Sequence, residues 1–182
     1  MLVAVTGATG IYLAIKFLEL IKQKNIKTEL IISENAEKIV SIETSYNISE
    51  VRKLADKNYD VNDLLAPPAS GSYKLDSMII IPCSMKSLSA IANGYANNLI
   101  TRAADVAIKE KRKLILVVRE TPFSAIHLKN MYKLAKLGVV IFPPIPSYYT
   151  QPKNIDELIE FTIGRILDQI GLESNIKRWG NS

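Results

Sequence analysis

The strongest constraint on the fold is a set of short apolar runs that do not alternate. Residues 2–6 (LVAVT), 78–81 (MIII) and 114–118 (LILVV) carry almost no polar side chain. Successive side chains of a strand point to opposite faces, so a strand with one wet face alternates apolar and polar. A strand without alternation is buried on both faces, as happens where helices cover both sides of a parallel sheet. Residues 28–32 and 139–142 complete five expected strands, and Pro82 is expected to close the third. Helical patterns fill the intervals: 11–24, 36–44, 49–57, 84–92, 99–109 and 124–137. In the first of these Ile11, Ala14, Ile15, Leu18 and Ile21 share one face. Ser49 is read as the cap of the third, and Ile155 through Ile170 mark a last amphipathic helix. Strand and helix in alternation, with right-handed crossovers, give an α/β fold: a doubly wound parallel sheet in a single domain, residues 1–182. In such sheets ligands bind beyond the carboxyl ends of the strands.

Composition removes several function classes. The one cysteine, Cys83, excludes an internal disulfide, and with the one histidine, His127, it leaves no ligand set for structural zinc. A reducing cytoplasm is the compartment this implies. No apolar run reaches the ~18 residues of a membrane span. The first residues lack a basic flank and run straight into a glycine turn, which argues against a signal peptide. The net charge of +5 is spread along the chain. Its densest cluster, Lys109 to Lys113, holds Glu110 and reads as a solvated helix end before a nucleic-acid patch. Small anionic ligands are another source for the positive balance.

The strand ends carry the chemistry. Gly7-Ala8-Thr9-Gly10 follows the first strand, and amides of such a turn at a helix start form a natural anion site. The turn is also compatible with a plain βα connection. Leu13 stands where a dinucleotide fingerprint wants its third glycine. Ser33 replaces the acidic ribose ligand at the end of the second strand, which demotes NAD. Pro82 to Ser87 follows the third strand with hydroxyls suited to phosphate or a flavin edge. Cys83 among them reads as a small buried residue before a nucleophile. Arg119-Glu120 follows the fourth strand and reads equally as a site or as a structural ion pair. Tyr149 lies in a proline-rich stretch that it could simply pack. Arg165 shares a helix face with apolar residues, either paired with a fixed anion or snorkelling at a rim.

In combination these segments resemble the UbiX family of flavin prenyltransferases. The resemblance spans nearly the whole chain and rests on TGATG (6–10), Pro82-Cys83-Ser84 with Ser87-Leu88-Ser89, LITRAADVAIK (99–109), Arg119 to Phe123, Tyr149-Thr150-Gln151-Pro152 and Arg178-Trp179-Gly180. It implies a flavodoxin-like or Rossmann-like fold and transfer of a dimethylallyl group from dimethylallyl monophosphate to N5 and C6 of reduced FMN. The prenylated FMN then serves a UbiD-type decarboxylase. It further implies a homo-oligomer, commonly a dodecamer, with sites shared between subunits. Carried over by residue, it assigns the flavin to Gly7, Ala8, Thr9, Ser33, Ser84, Met85, Lys86, Ser87, Arg102 and Arg119. It assigns the donor phosphate to Lys109, Tyr149 and Arg165. Glu120 takes the proton-transfer role, with Thr9 and Glu43 as further catalytic positions. The family usually has serine where Thr9 stands; the hydroxyl is kept and a methyl is added.

The residue types suit that chemistry. Expelling phosphate from an allylic carbon develops negative charge, which fixed cationic donors stabilise. The chain has no DDxxD motif for magnesium, so the cations must come from side chains and no metal is expected. A carboxylate at Glu120 can take or relay the proton lost at flavin C6, and the adjacent Arg119 is expected to favour its charged form. A flavin-dependent cysteine decarboxylase is the rival reading; it needs a catalytic histidine, for which His127 is the candidate. A flavin-carrier protein is the non-enzymatic reading.

Overall fold

The computed structural model describes residues 1–180, which divide into two compact units, Met1–Pro143 and the residues from Pro144 onward. The first unit is a parallel sheet with strand order β3-β2-β1-β4-β5-β6. Its strands are β1 (Leu2–Val5), β2 (Glu29–Ile32), β3 (Lys57–Tyr59), β4 (Ser77–Cys83), β5 (Lys113–Val118) and β6 (Val140–Ile141). The helices are α1 (Ile11–Gln23), α2 (Glu34–Glu43), α3 (Ile48–Arg52), α4 (Met85–Ala92), α5 (Leu99–Lys109) and α6 (Ala125–Ala135). Consecutive elements run outward from β1 to β3, then the chain crosses back over β1 to start β4. The reversal falls between β1 and β4.

The non-alternating runs behave as their composition requires. Leu2, Ala4, Met78, Ile80, Leu114 and Leu116 share one core with Leu88, Ile91, Leu99, Ala103, Met131 and Leu134 from α4, α5 and α6. The intervening residues Val3, Val5, Ile79, Ile81, Ile115 and Val117 are as deeply buried. Burial on both faces is what removes the polar alternation.

The structure departs from the sequence reading at three places. The sheet has a sixth strand, β3, which begins at the last residue of what reads as a helix over 49–57. Its residues Lys57 and Asn58 are exposed and only Tyr59 is buried, as an edge strand permits. The helix is shorter, and Asn47 caps it rather than Ser49. Asn47 accepts the Glu50 amide at 3.0 Å while the Glu50 carboxylate accepts the Asn47 amide at 2.8 Å, a complete capping box. Pro82 lies inside β4 instead of closing it. Proline lacks a ladder donor, and the β4–β5 register shifts between Ile80 and Cys83.

The turn after β1 requires a glycine. A Cβ on Gly7 would stand 2.6 Å from Asn35 Cβ at the start of α2. Close approach, not conformational freedom, is the reason here.

The second unit contains a 3-10 turn at Tyr148–Thr150 and α7 (Ile155–Gln169), whose N-cap Asn154 accepts the Glu157 amide at 2.9 Å. After α7 the chain returns along it. Gly164 has no side chain, and Ile176 fills the space a Cβ would need.

Gly7→Ala should therefore destabilise the protein by about 1–3 kcal/mol, the usual cost of an overpacked site. Urea unfolding checks this, and an unchanged midpoint would show that the β1 turn can open without cost.

Candidate active site

The site is built where β1 and β4 diverge. Thr6, which continues β1, is buried, and its hydroxyl donates to the Pro82 carbonyl at 2.8 Å. The same oxygen accepts the Ser84 amide at 2.8 Å. One side chain thus ties together the carboxyl ends of the two strands at the reversal. On one side the Ser33 amide donates to the Val5 carbonyl at 3.0 Å, and on the other the Arg119 amide donates to the Cys83 carbonyl at 3.1 Å. Gly7, Ser33, Ser84 and Arg119 consequently stand in one row along the carboxyl edge of the sheet. Thr6 was not among the residues singled out by sequence. Its signal is a threonine placed directly between a buried strand and a glycine turn.

Ser33 and Ser84 each begin a helix. Ser33 caps α2 by accepting the Ala36 amide at 3.3 Å. Ser84 caps α4 by accepting the Ser87 amide at 3.3 Å and donates its own proton to the Ser87 hydroxyl at 3.2 Å. Met85 packs against the core, while Lys86 is exposed. The two caps place hydroxyls and helix N-termini on either side of the β1 turn, an arrangement that suits an anionic or polar ligand edge.

The start of α1 is different. Glu43 reaches back from the last turn of α2 and accepts the Gly10 and Ile11 amides, each at 2.9 Å, and the Thr9 hydroxyl. Thr9 and Glu43, 34 residues apart, are thus brought together. The anion expected at the glycine turn is the protein's own carboxylate. Any ligand contact from Gly7, Ala8 and Thr9 is therefore left for a group other than a phosphate seated on those amides.

Arg119 and Glu120 do not form the structural ion pair that is one of their two readings. The Glu120 carboxylate instead accepts the amide of Thr121 at 3.0 Å, in the turn that leads to Pro122. Neighbouring residues leaving a strand point in different directions, which separates the two charges.

Two further candidate cations of the first unit have partners. Arg102 donates from Nε to the Ala69 carbonyl at 3.0 Å and pairs through Nη1 with Asp105 at 2.8 Å. Lys109 pairs with Glu110, which holds the Glu110 carboxyl below its ordinary range. Lys109 ends α5 four residues before β5 begins, at the amino edge of the sheet. Arg119 follows β5 at the other edge, and six strand residues between them span about 17–20 Å at ~3.3 Å each. The two do not meet in one copy of the chain.

In the second unit Tyr149 lies edge-on between Phe161 and Trp179, with ring centroids 5.8 and 5.2 Å away. Arg165 has Asp168 as an anionic partner at 3.5 Å. Asp168 in turn takes both ends of the Arg178 guanidinium, at 2.8 and 2.9 Å, and the Ser174 hydroxyl at 3.0 Å. Arg178, more than burial, sets the direction of its titration, and the carboxyl is held below the usual range.

His127 has a local task. Its Nδ1 accepts the Ser124 amide at 3.2 Å, while the Ser124 hydroxyl accepts the His127 amide at 3.2 Å. This is a capping box with imidazole in the place of a carboxylate, at the start of α6. Among the described residues no group of three or more His, Cys, Asp or Glu side chains gathers as a metal site would need, and no helix is long and apolar enough to cross a membrane.

A doubly wound sheet with capped helix starts facing its reversal is the frame of a flavin-binding protein, and the Flavoprotein family matches residues 1–167. Among characterised relatives, the flavin prenyltransferase UbiX of Methanocaldococcus jannaschii is 48% identical over 98% of this chain and 97% of that protein. AnUbiX, whose crystal structure holds FMN and dimethylallyl pyrophosphate, superposes with a TM-score of 0.97 at 47% identity, covering 100% of this chain and 97% of that one. The dodecameric FMN-dependent UbiX-like decarboxylase of Escherichia coli O157:H7 superposes with a TM-score of 0.95 at 43% identity, over the full length of both chains. The chain belongs to the UbiX family of flavin prenyltransferases.

Cys83 takes no part in this chemistry. It is fully buried, and burial pushes its thiol up to about 12. It should stay protonated at pH 8 and fail to react with a disulfide reagent in the native protein. One equivalent should react after unfolding in denaturant; rapid native reaction would contradict the burial.

Proposed function

We propose that the chain transfers a dimethylallyl group from a phosphorylated donor to N5 and C6 of reduced FMN, producing the prenylated flavin used by UbiD-type decarboxylases. The observation that carries this reading is the full-length match to AnUbiX, which was crystallised with FMN and dimethylallyl pyrophosphate. The site geometry supports FMN as substrate. Ser33 and Ser84 offer hydroxyls and helix starts on both sides of the β1 turn. Gly7 brings the backbone close without a side chain in the way, and Ser33 gives no acidic grip for an adenine ribose. Met85, Lys86, Ser87 and Arg119 follow the same strand ends.

The protein's own groups then divide the work. Lys109, Tyr149 and Arg165 are assigned to the leaving phosphate, where their donors meet the charge that develops as the allylic C–O bond breaks. Glu120 takes the proton released at C6 when the ring closes. Thr9 and Glu43, one hydrogen-bonded unit, are assigned further catalytic roles, and Arg102 of α5 is assigned to the flavin. The use of His127 as a helix cap disfavours the cysteine-decarboxylase reading. A carrier role would leave the three phosphate ligands without a purpose.

A homo-oligomer follows from the same reading. Lys109 and Arg119 stand at opposite edges of one sheet, so a site that uses both needs a second copy. The E. coli relative is a dodecamer, and we assign that assembly here. The use of a single, buried cysteine fits a reducing cytoplasm.

Anaerobic incubation with reduced FMN and dimethylallyl monophosphate, followed by mass analysis of the extracted flavin, tests the reaction. A flavin heavier by one C5 prenyl unit is the expected product, formed equally after EDTA treatment. A parallel arm with the pyrophosphate reads donor preference. Absence of adduct with both donors would end the assignment, and loss with EDTA restored by magnesium would overturn the cationic leaving-group model.

Glu120→Gln gives a sharper test of catalysis. Glutamine keeps an oxygen for the Thr121 amide and removes the charge and basicity. FMN affinity should hold, while turnover falls by roughly 10²–10⁴-fold, the range of general acid–base groups. Unimpaired formation of the four-ring product would return Glu120 to a purely structural role.

A further inference from the structure

We infer that Asp168 is a positioning residue for the donor phosphate: anchored by the C-terminal segment, its carboxylate fixes the direction of the Arg165 guanidinium. The inference rests on the assignment of Arg165 to that phosphate. It is carried by how Arg165, Arg178 and Ser174 share one carboxylate.

Arg165 and Asp168 are one turn apart on α7, and their contact is a single one from Nη1 at 3.5 Å. That is longer than the ~2.7–2.9 Å of a charge-assisted hydrogen bond. Asp168 is instead committed to the segment that follows the helix. Arg178 grips both of its oxygens, and Ser174 donates to one of them. A carboxylate held by three donors cannot turn, and only 18% of the side chain is exposed. Arg165 is a half-exposed arginine facing this fixed negative edge with one nitrogen. Its fork has five N–H donors, so the rest of it remains available to a planar or tetrahedral anion.

The charge balance points the same way. Two guanidinium groups share one carboxylate, so the cluster keeps a net positive charge for an incoming phosphate. A bidentate Asp168–Arg165 pair would instead have occupied two of the Arg165 donors. Arg178 therefore keeps Asp168 from taking up the donors of the arginine that it orients. The same segment also steadies the other ligand of this unit. Trp179 packs edge-on against Tyr149, and the Lys177 carbonyl lies 3.5 Å from the Tyr149 hydroxyl. Both donor-phosphate residues of the second unit are thus set by residues 174–179. Ordering long side chains before the ligand arrives lowers the entropic cost of binding.

The test uses the intact oligomer with Asp168→Asn, Asp168→Glu, Arg165→Ala and the Asp168→Asn/Arg165→Ala double variant. Steady-state kinetics with dimethylallyl monophosphate are measured beside FMN affinity. Asp168→Asn should raise the donor KM by roughly two- to fivefold, the scale of a half-exposed ion pair, with kcat and FMN affinity little changed. Asp168→Glu should recover most of the loss. In the Arg165→Ala background the same Asp168→Asn change should cost less than it does alone, because part of its effect runs through Arg165. An additive effect, or a loss of FMN affinity and thermal stability with the donor KM unmoved, would overturn the positioning role. If Arg165→Ala itself leaves the donor KM unchanged, the phosphate assignment fails first, and the role of Asp168 falls with it.

Discussion

Everything at the functional edge depends on one hydroxyl. Where the chain reverses at β1, the adjacent strands β1 and β4 send their helices in different directions. The Thr6 hydroxyl ties their ends, donating to the Pro82 carbonyl, which also takes the Thr6 amide, and accepting from the Ser84 amide. A buried hydroxyl that satisfies a donor and an acceptor at once leaves no polar group stranded. It also sets the distance between the β1 turn and the α4 cap. The crevice is therefore a rigid consequence of the sheet, and its two walls cannot drift apart independently.

The legibility of the fold followed burial. β1, β4 and β5 stood out because deep burial on both faces leaves an unbroken apolar run. β3 did not, because a three-residue edge strand buries only Tyr59 and pairs mainly through its backbone. Its tyrosine is instead recognisable in the structure: the hydroxyls of Tyr59 and Tyr73 both donate to Glu29, at 2.8 and 2.5 Å, fastening the edge. Burial and the bond to Glu29 push the Tyr59 phenol up to about 12. Two carboxamide or hydroxyl residues separated by one position, Asn47 and Ser49, both look like caps. Only the full box with Glu50 decides between them.

The site was legible in a different way. Strand ends point to Gly7, Ser33, Ser84 and Arg119 from topology alone. Glu43 is beyond such reasoning: it comes from the far end of α2, and only the family resemblance marked it. The same holds for Lys109, which ends α5 at the amino edge of the sheet, away from the other candidates. Of the two readings open for Arg119–Glu120, the structural ion pair falls away, because adjacency along the chain is not adjacency in space once a strand ends. Asp168 and Arg178, ten residues apart across a helix end, left no periodic trace at all.

The carboxylate of Glu43 has a consequence for molecular traffic. An open helix start in a sheet of this topology is a general docking point for phosphates, and a cell is full of nucleotides that would compete for it. Here the dock is closed from within. A nucleotide cannot use it without expelling an ion already matched to two amides and a hydroxyl. The protein thus gives up the commonest anchor of its fold class, and an incoming anion is left the capped starts of α2 and α4 on either side of the β1 turn.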